Sequence, residues 1–127
     1  MIVGITGDTH NNLKNIHEIC TIFNKNSADL VLHTGDISLP KSLLAFKSLN
    51  CRLIAVLGNN DIQEKKDLEK ASEEFNCEIY EEPYSFEMYN KSISLVHHPD
   101  LIDEEMTLTH DLIFHGHTHR YRLERKE

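Results

Sequence analysis

The sequence predicts an α/β fold with a largely parallel sheet, on three observations. Up to about residue 76, short β-branched runs alternate with amphipathic helical stretches, the pattern of strands joined by covering helices. Beyond Cys77 the helical spacing thins and extended runs follow one another, which adds β-hairpin material to the α/β half. Five of the places where an apolar run stops carry Asp, Asn or His, among them Asp36, Asn59 and His117 directly after a glycine.

Taken in order, Ile2-Val3-Gly4-Ile5 is the first strand, and Gly7-Asp8-Thr9-His10 follows it. Leu13, Ile16, His17, Ile19, Cys20 and Phe23 recur at helical spacing and predict an amphipathic helix of about three turns. Asp29-Leu30-Val31-Leu32-His33 is the second strand, ending at Gly35-Asp36. Pro40 suits a first helical turn, where its missing N–H costs nothing, so Leu43, Leu44, Phe46, Lys47 and Leu49 read as a short helix. Arg52–Leu57 is a buried third strand that stops at Gly58-Asn59-Asn60-Asp61. Residues 64–75 are charged, with Leu68, Ala71, Ser72 and Phe75 on one face, which predicts a surface helix. Ile79-Tyr80, Tyr84–Tyr89 and Ser92–Val96 read as strands, the last two joined by Asn90-Lys91, a two-residue loop with Asn first. About one helical turn fits around Glu104-Glu105-Met106. Leu112-Ile113-Phe114 is the last apolar run, before His115-Gly116-His117-Thr118-His119. No repeat or linker interrupts the pattern, so a single domain over residues 1–127 is expected.

At 127 residues, 39% hydrophobic and 27% charged, the chain can bury a continuous core without disulfide or metal staples. The same composition excludes collagen-like, low-complexity and wholly disordered classes. No apolar run approaches the roughly 18 residues that span a bilayer. Met1–Ile5 is too short for a signal-peptide core and lacks a basic flank, so a cytoplasmic location is expected. Cys20, Cys51 and Cys77 show no CxxC spacing and read as reduced, packed thiols. The net charge of −8 is uneven: residues 61–111 hold fifteen acids against four bases. The plain reading of that acidic middle is a solvated helix and loop surface. No basic tract is present to hold a nucleic-acid backbone or an anionic membrane. Four of the nine histidines fall between residues 110 and 119.

Five polar clusters sit just past apolar strands: Asp8/His10, Asp36, Asn59, His97 and His117/His119. In open α/β sheets the C-terminal strand ends face a common crevice, so residues far apart in sequence can converge there. Carboxylate, imidazole and carboxamide donors without thiolate suit Mn²⁺, Zn²⁺, Fe or Mg²⁺ rather than a cysteine-type structural zinc. Gly35, Gly58 and Gly116 allow sharp turns that swing the next side chain inward. The Asp8-x-His10 and His117-x-His119 steps put both donors on one side if those segments are extended. Seven candidate ligands exceed what one site takes, and two metals sharing a carboxylate is the economical reading.

Asp8-x-His10, Gly35-Asp36, Gly58-Asn59-x-Asp61, His97 and Gly116-His117-x-His119 occur in the order of the calcineurin-like metallophosphoesterases. Asp8-Thr9-His10 and Gly116-His117-Thr118-His119 are most similar to the small prokaryotic phosphodiesterase branch, and the resemblance covers essentially the whole chain. It implies a β-sandwich flanked by helices, four layers in the order α/β/β/α, here with a shortened second sheet. It also implies two divalent ions, Mn first, with Ni, Zn, Fe or Mg as alternatives. Asp8, His10, Asp36 and His119 would hold one ion; Asp36, Asn59, His97 and His117 would hold the other, with Asp36 bridging. The implied activity is hydrolysis of a small phosphate ester by metal-activated hydroxide, a diester before a monoester. Asn59, Asn60 and His97 are then the catalytic candidates, and Asn59 and His98 the candidates for holding substrate. Two divalent ions outweigh the carboxylates of Asp8 and Asp36, leaving a cationic pocket that suits one phosphate rather than a nucleic-acid polymer.

Two features depart from the family pattern. Asn60 occupies the slot where relatives commonly have histidine, which implies less help to the leaving group. The chain runs only eight residues past His119, so an open edge on the second sheet is expected. An open edge invites a homo-oligomer, or marks a piece of a longer product. Asp61, His33 and His115 read as groups that orient ligands or pack beside them. Lys14, His17, Arg120 and His110, like the strand-spaced Tyr80, Tyr84, Phe86 and Tyr89, read as surface or packing residues. A non-catalytic interaction module resembling the retromer subunit of the same fold is the alternative. The full set of metal-donor positions favours the enzyme.

Overall fold

The computed structural model describes residues 2–58 and 61–116. Four parallel strands form one sheet in the order β1 (Val3–Thr6), β2 (Leu30–His33), β3 (Arg52–Val56) and β4 (Cys77–Tyr80). The crossovers carry α1 (Leu13–Lys25), α2 (Pro40–Leu44) and α3 (Lys65–Ser72). A second sheet pairs β5 (Tyr84–Met88) antiparallel to β6 (Lys91–Leu95), and β7 (Leu112–Phe114) runs parallel to β6 after α4 (Glu104–Thr109). The mixed α/β class and the two-sheet architecture agree with the expectation.

Local chemistry sets the helix ends. The Asn12 side chain accepts the Asn15 N–H at 3.1 Å and opens α1, while Lys25 sits in the last turn, where a cation is favoured. Asp103 does the same for α4 by accepting the Met106 N–H at 2.8 Å, with Glu104 and Glu105 in the first turn.

Strand alternation divides the interior into two cores on opposite faces of the first sheet. Val31, Leu53 and Ala55 face the helices and pack with Ile16, Leu43, Phe46 and Leu68. Leu30, Leu32, Ile54 and Val56 face the second sheet and meet Ile93 and Leu95, with Phe86 and Phe114 against them. Ser85 alternates with Tyr84 and Phe86 and so points outward, where its Oγ meets His110 Nε2 at 2.9 Å, just after α4. Helices, sheet, sheet and α4 give the four layers. Stacked Tyr80 and Tyr84 rings, 3.6 Å apart, join the sheets at the β4–β5 connection, where the Glu82–Pro83 peptide is cis.

Several boundaries differ from the sequence reading. The hairpin turns at Tyr89-Asn90 instead of Asn90-Lys91, because the register that pairs Met88 with Lys91 leaves those two residues to make the loop, with the positive φ at both positions of a type I′ turn. Tyr89 and Asn90 have φ of 54° and 62°, and Met88 pairs with Lys91. The predicted helix over 64–75 is shorter: a 3-10 turn at Ile62–Glu64 leads into α3, and the chain leaves the helix after Ser72. The helix after Pro40 tightens into a 3-10 turn at Ala45–Ser48. Among the described residues no helix is long and apolar enough to cross a membrane.

Candidate metal centre

Parallel pairing brings the ends of β1 and β2 level, with Thr6 opposite His33, and the loops beyond them are zipped together. Thr34 N–H donates to Thr6 O at 2.9 Å, Asp8 N–H to Gly35 O at 2.8 Å, and His10 N–H to Asp36 O at 2.8 Å. These bonds set the donor atoms of Asp8, His10 and Asp36 within 4.8 Å of one another. Ligand atoms around a single ion at about 2.1 Å lie up to about 4 Å apart, so this spacing needs little contraction to hold a metal. His97, beyond β6, faces the same point: its Nε2 is 3.3 Å from Asp36 Oδ2 and its Nδ1 is 4.0 Å from Asp8 Oδ1. His10 Nε2 lies 3.8 Å from the same Asp36 oxygen. Asp36 is therefore the group common to both imidazoles.

The Asp8-x-His10 step is not extended, which corrects the alternation argument. Asp8, His10, Asp36 and Ser38 have φ of 52°, 48°, 64° and 80°, and the donors converge because the loops curl through left-handed residues. Asp and His are among the non-glycine residues enriched in that region, where a residue still costs on the order of 1 kcal/mol or more. Strain gathered at one end of a sheet marks a place where geometry has been favoured over stability.

The glycines serve mainly by leaving room. A Cβ on Gly58 would lie 2.4 Å from Asp36 Oδ1, one on Gly116 would lie 2.8 Å from Asp8 Oδ2, and one on Gly35 would lie 2.8 Å from His97 Nδ1. Among them only Gly35, at φ 109°, also needs glycine's backbone freedom. A cradle of oxygen and imidazole donors, kept open by glycines and lacking thiolate, fits a borderline or hard divalent ion.

Three buried groups hold this cradle. The His97 Nδ1 is 3.0 Å from Thr34 O, so it carries a proton there and leaves Nε2 turned toward Asp36. Asp61, fully buried, accepts the N–H groups of Asp36 (2.8 Å), Gly58 (2.7 Å) and Ser38 (2.6 Å), joining the loops after β2 and β3. Charge-assisted bonds to backbone amides are strong, and they fit the orienting role expected of Asp61. His33 Nδ1 accepts the Gly35 N–H at 3.0 Å, which leaves the proton on Nε2 to donate to Thr9 Oγ1 at 2.9 Å. Burial pushes the His33 pKa from 6.5 down to about 3; Asp36 opposes the shift, while His97 and His10 add to it. A neutral His33 thus ties the Asp8–His10 loop to the loop carrying Asp36.

His98 lies beside His97, and its Nδ1 accepts the Asp100 N–H at 3.2 Å, capping the 3-10 turn Pro99–Leu101. His115 is half-buried, with Nδ1 at 3.2 Å from the adjacent Gly116 carbonyl. Asn59, Asn60, His117 and His119 lie outside the described residues. One residue that the sequence reading missed is Glu82, whose Oε2 accepts the His97 N–H at 2.8 Å. The usable signal was register: Tyr84 pairs with Leu95, and two steps further along the same antiparallel ladder Glu82 comes opposite His97.

A family model described as the calcineurin-like phosphoesterase superfamily domain matches residues 1–127. The phosphodiesterase MJ0936 of Methanocaldococcus jannaschii is 32% identical over 123 residues, which is 94% of this chain and 74% of that protein. The solved structure of an archaeal phosphodiesterase superposes with a TM-score of 0.84 at 30% identity, covering 100% of this chain and 79% of that one. Yfce, a phosphoesterase from E. coli, shares the fold at a TM-score of 0.62 and 17% identity, over 77% of this chain and 58% of that one. With two sheets, a carboxylate–imidazole cradle at the strand ends and a family match along its whole length, the chain belongs to the calcineurin-like phosphoesterase superfamily.

Proposed function

We propose that this chain is a two-metal phosphodiesterase acting on a small phosphate ester. The observation that carries the proposal is the meeting of Asp8, His10 and Asp36 within 4.8 Å, with His97 Nε2 at 3.3 Å from Asp36. Similarity to a protein named as a phosphodiesterase supports the reaction class. Asp8, His10 and Asp36, completed by His119, would hold one ion; Asp36 and His97, completed by Asn59 and His117, would hold the second. Divalent ions held there supply Lewis acidity, making water a stronger acid and drawing negative charge from the phosphate oxygens. Mn²⁺ is the first candidate, ahead of Ni²⁺, Zn²⁺, Fe and Mg²⁺.

The chain's own residues provide preorganisation. Asp61 and His33 fix the two ligand loops before substrate arrives, so the site need not reorganise during reaction. In hydrolysis the water oxygen bonds to phosphorus, the ester P–O bond breaks, and the leaving oxygen takes a proton from solvent or a nearby donor. Asn60 offers no imidazolium for that proton, which favours esters with acidic leaving groups. Asn59 and His98 would contact the phosphate or its substituent. The acidic stretch over residues 61–111, fifteen acids against four bases, disfavours a long polyanion.

Hydrolysis of bis(p-nitrophenyl) phosphate with Mn²⁺, Ni²⁺, Zn²⁺, Mg²⁺ or EDTA tests the proposal, with Asp36→Ala as the control. The expected result is metal-dependent turnover that EDTA and Asp36→Ala both abolish, with p-nitrophenyl phosphate and simple alkyl diesters turned over more slowly. Folded protein inactive with every metal would favour the interaction-module reading instead.

A further inference from the structure

We propose that Glu82 is a positioning residue for His97, fixing from the opposite strand connection the imidazole that faces Asp36. The inference rests on the reading of His97 as a metal ligand. Glu82 lies in the β4–β5 connection, the segment that joins the two sheets. Its Oε2 accepts the His97 N–H at 2.8 Å and its Oε1 faces the His98 N–H at 3.4 Å. Further contacts among the described residues also hold His97. Its carbonyl accepts the Gly116 N–H at 3.1 Å, its Nδ1 meets Thr34 O at 3.0 Å, and its ring fills the space that Gly35 and Gly58 leave open.

That packing makes the backbone position decisive. A Cβ on Gly35 would lie 2.8 Å from the ring Nδ1, and one on Gly58 would lie 3.0 Å from Cγ, so the ring has almost no lateral freedom. A small shift of the His97 backbone therefore changes the 3.3 Å separation of Nε2 from Asp36 instead of being absorbed by the side chain. Among these tethers, the Glu82 carboxylate is the side-chain group that accepts the His97 amide, and a charged acceptor makes the stronger bond. With both oxygens turned to amides, Glu82 orients a ligand without being one.

The test is Mn²⁺ titration of metal-free protein by calorimetry, on wild type, Glu82→Ala, Glu82→Gln and His97→Ala, with kcat and KM measured alongside. Wild type is expected to bind two ions, and His97→Ala to weaken one of them by more than about a hundredfold. Glu82→Ala weakens that same ion by about 10- to 100-fold, the usual effect of removing an outer partner, and leaves the other within about twofold. Glu82→Gln, whose single oxygen still accepts the His97 N–H, falls between, and kcat drops while KM for the diester stays near wild type. If Glu82→Ala does not fold, Glu82→Gln decides.

Equal weakening of both ions, or a lower melting temperature with unchanged affinities, would mark a purely structural role and overturn the proposal. Wild-type affinities in both Glu82 variants, with one ion lost in His97→Ala, would overturn it and leave the metal reading intact. No effect of His97→Ala would remove the metal reading, and the Glu82 proposal with it.

Discussion

At the residue scale His33 and Asp61 tie together the loops that carry the metal donors: each bonds to loops from two different strands, and both are fully buried. His33 is neutral in the fold, with its pKa lowered from 6.5 to about 3. It takes up a proton on unfolding at any pH between those values, so its contribution is complete above pH 6.5 and is lost as pH falls toward 3. The slope from one such group is at most about 1.4 kcal/mol per pH unit. Asp36, His97 and His10 also act on it electrostatically, so the effect of His33 is isolated by comparing two proteins. Denaturant unfolding of metal-free wild type and His33→Gln between pH 7 and 4 is expected to give a shallower loss in the variant. Parallel curves would show that His33 carries no such linkage. A packed, hydrogen-bonded His33 could be anticipated from its place at the end of an apolar strand. The left-handed backbone at Asp8, His10 and Asp36 could not, because loop conformation is set by the pairing of two loops distant in sequence.

At the element scale, strands and helices were legible wherever a period ran for several residues, as in α1 and β3. The failures lie where tertiary geometry overrides local pattern. The hairpin turn moved by one residue because the β5–β6 register, with Met88 opposite Lys91, leaves Tyr89 and Asn90 at the turn, and nothing local marks Tyr89 for positive φ. Glu82 went unseen because only the β5–β6 register puts it opposite His97. The glycines were noticed for their turns, whereas at Gly58 and Gly116 the structure uses their lack of a side chain. This distinction can be tested. An alanine at Gly58 puts Cβ 2.4 Å from Asp36 Oδ1, while an alanine at Gly4 meets the Phe23 ring at 2.6 Å, in the helix-side core. Overpacking of this kind costs about 1–3 kcal/mol, so both variants should melt at lower temperature. Only Gly58→Ala should also weaken Mn²⁺ binding, by at least about tenfold if the Asp36 carboxylate is displaced. Equal metal affinity in the two variants would mean that the space beside Asp36 is incidental.

At the scale of the whole molecule, the first sheet carries a core on each face, and its strand ends carry the loops that meet at Asp36. Those two facts follow from one topology. Parallel strands in the order β1-β2-β3 present their C-terminal ends together, and the second sheet adds His97 from β6 on the same rim. The layered fold and the order of the motifs were legible because each motif is a short local word after a strand. The distances between motifs were not, because they depend on how the two sheets stack. Whether Asp36 is shared between two metal ions is read from a crystal structure of the protein grown with Mn²⁺ and an anomalous difference map from data taken at the manganese edge. Two peaks are predicted, one among Asp8, His10 and Asp36 and one between Asp36 and His97. A map with fewer than two peaks touching the Asp36 carboxylate, from crystals with manganese in the solvent, would contradict it.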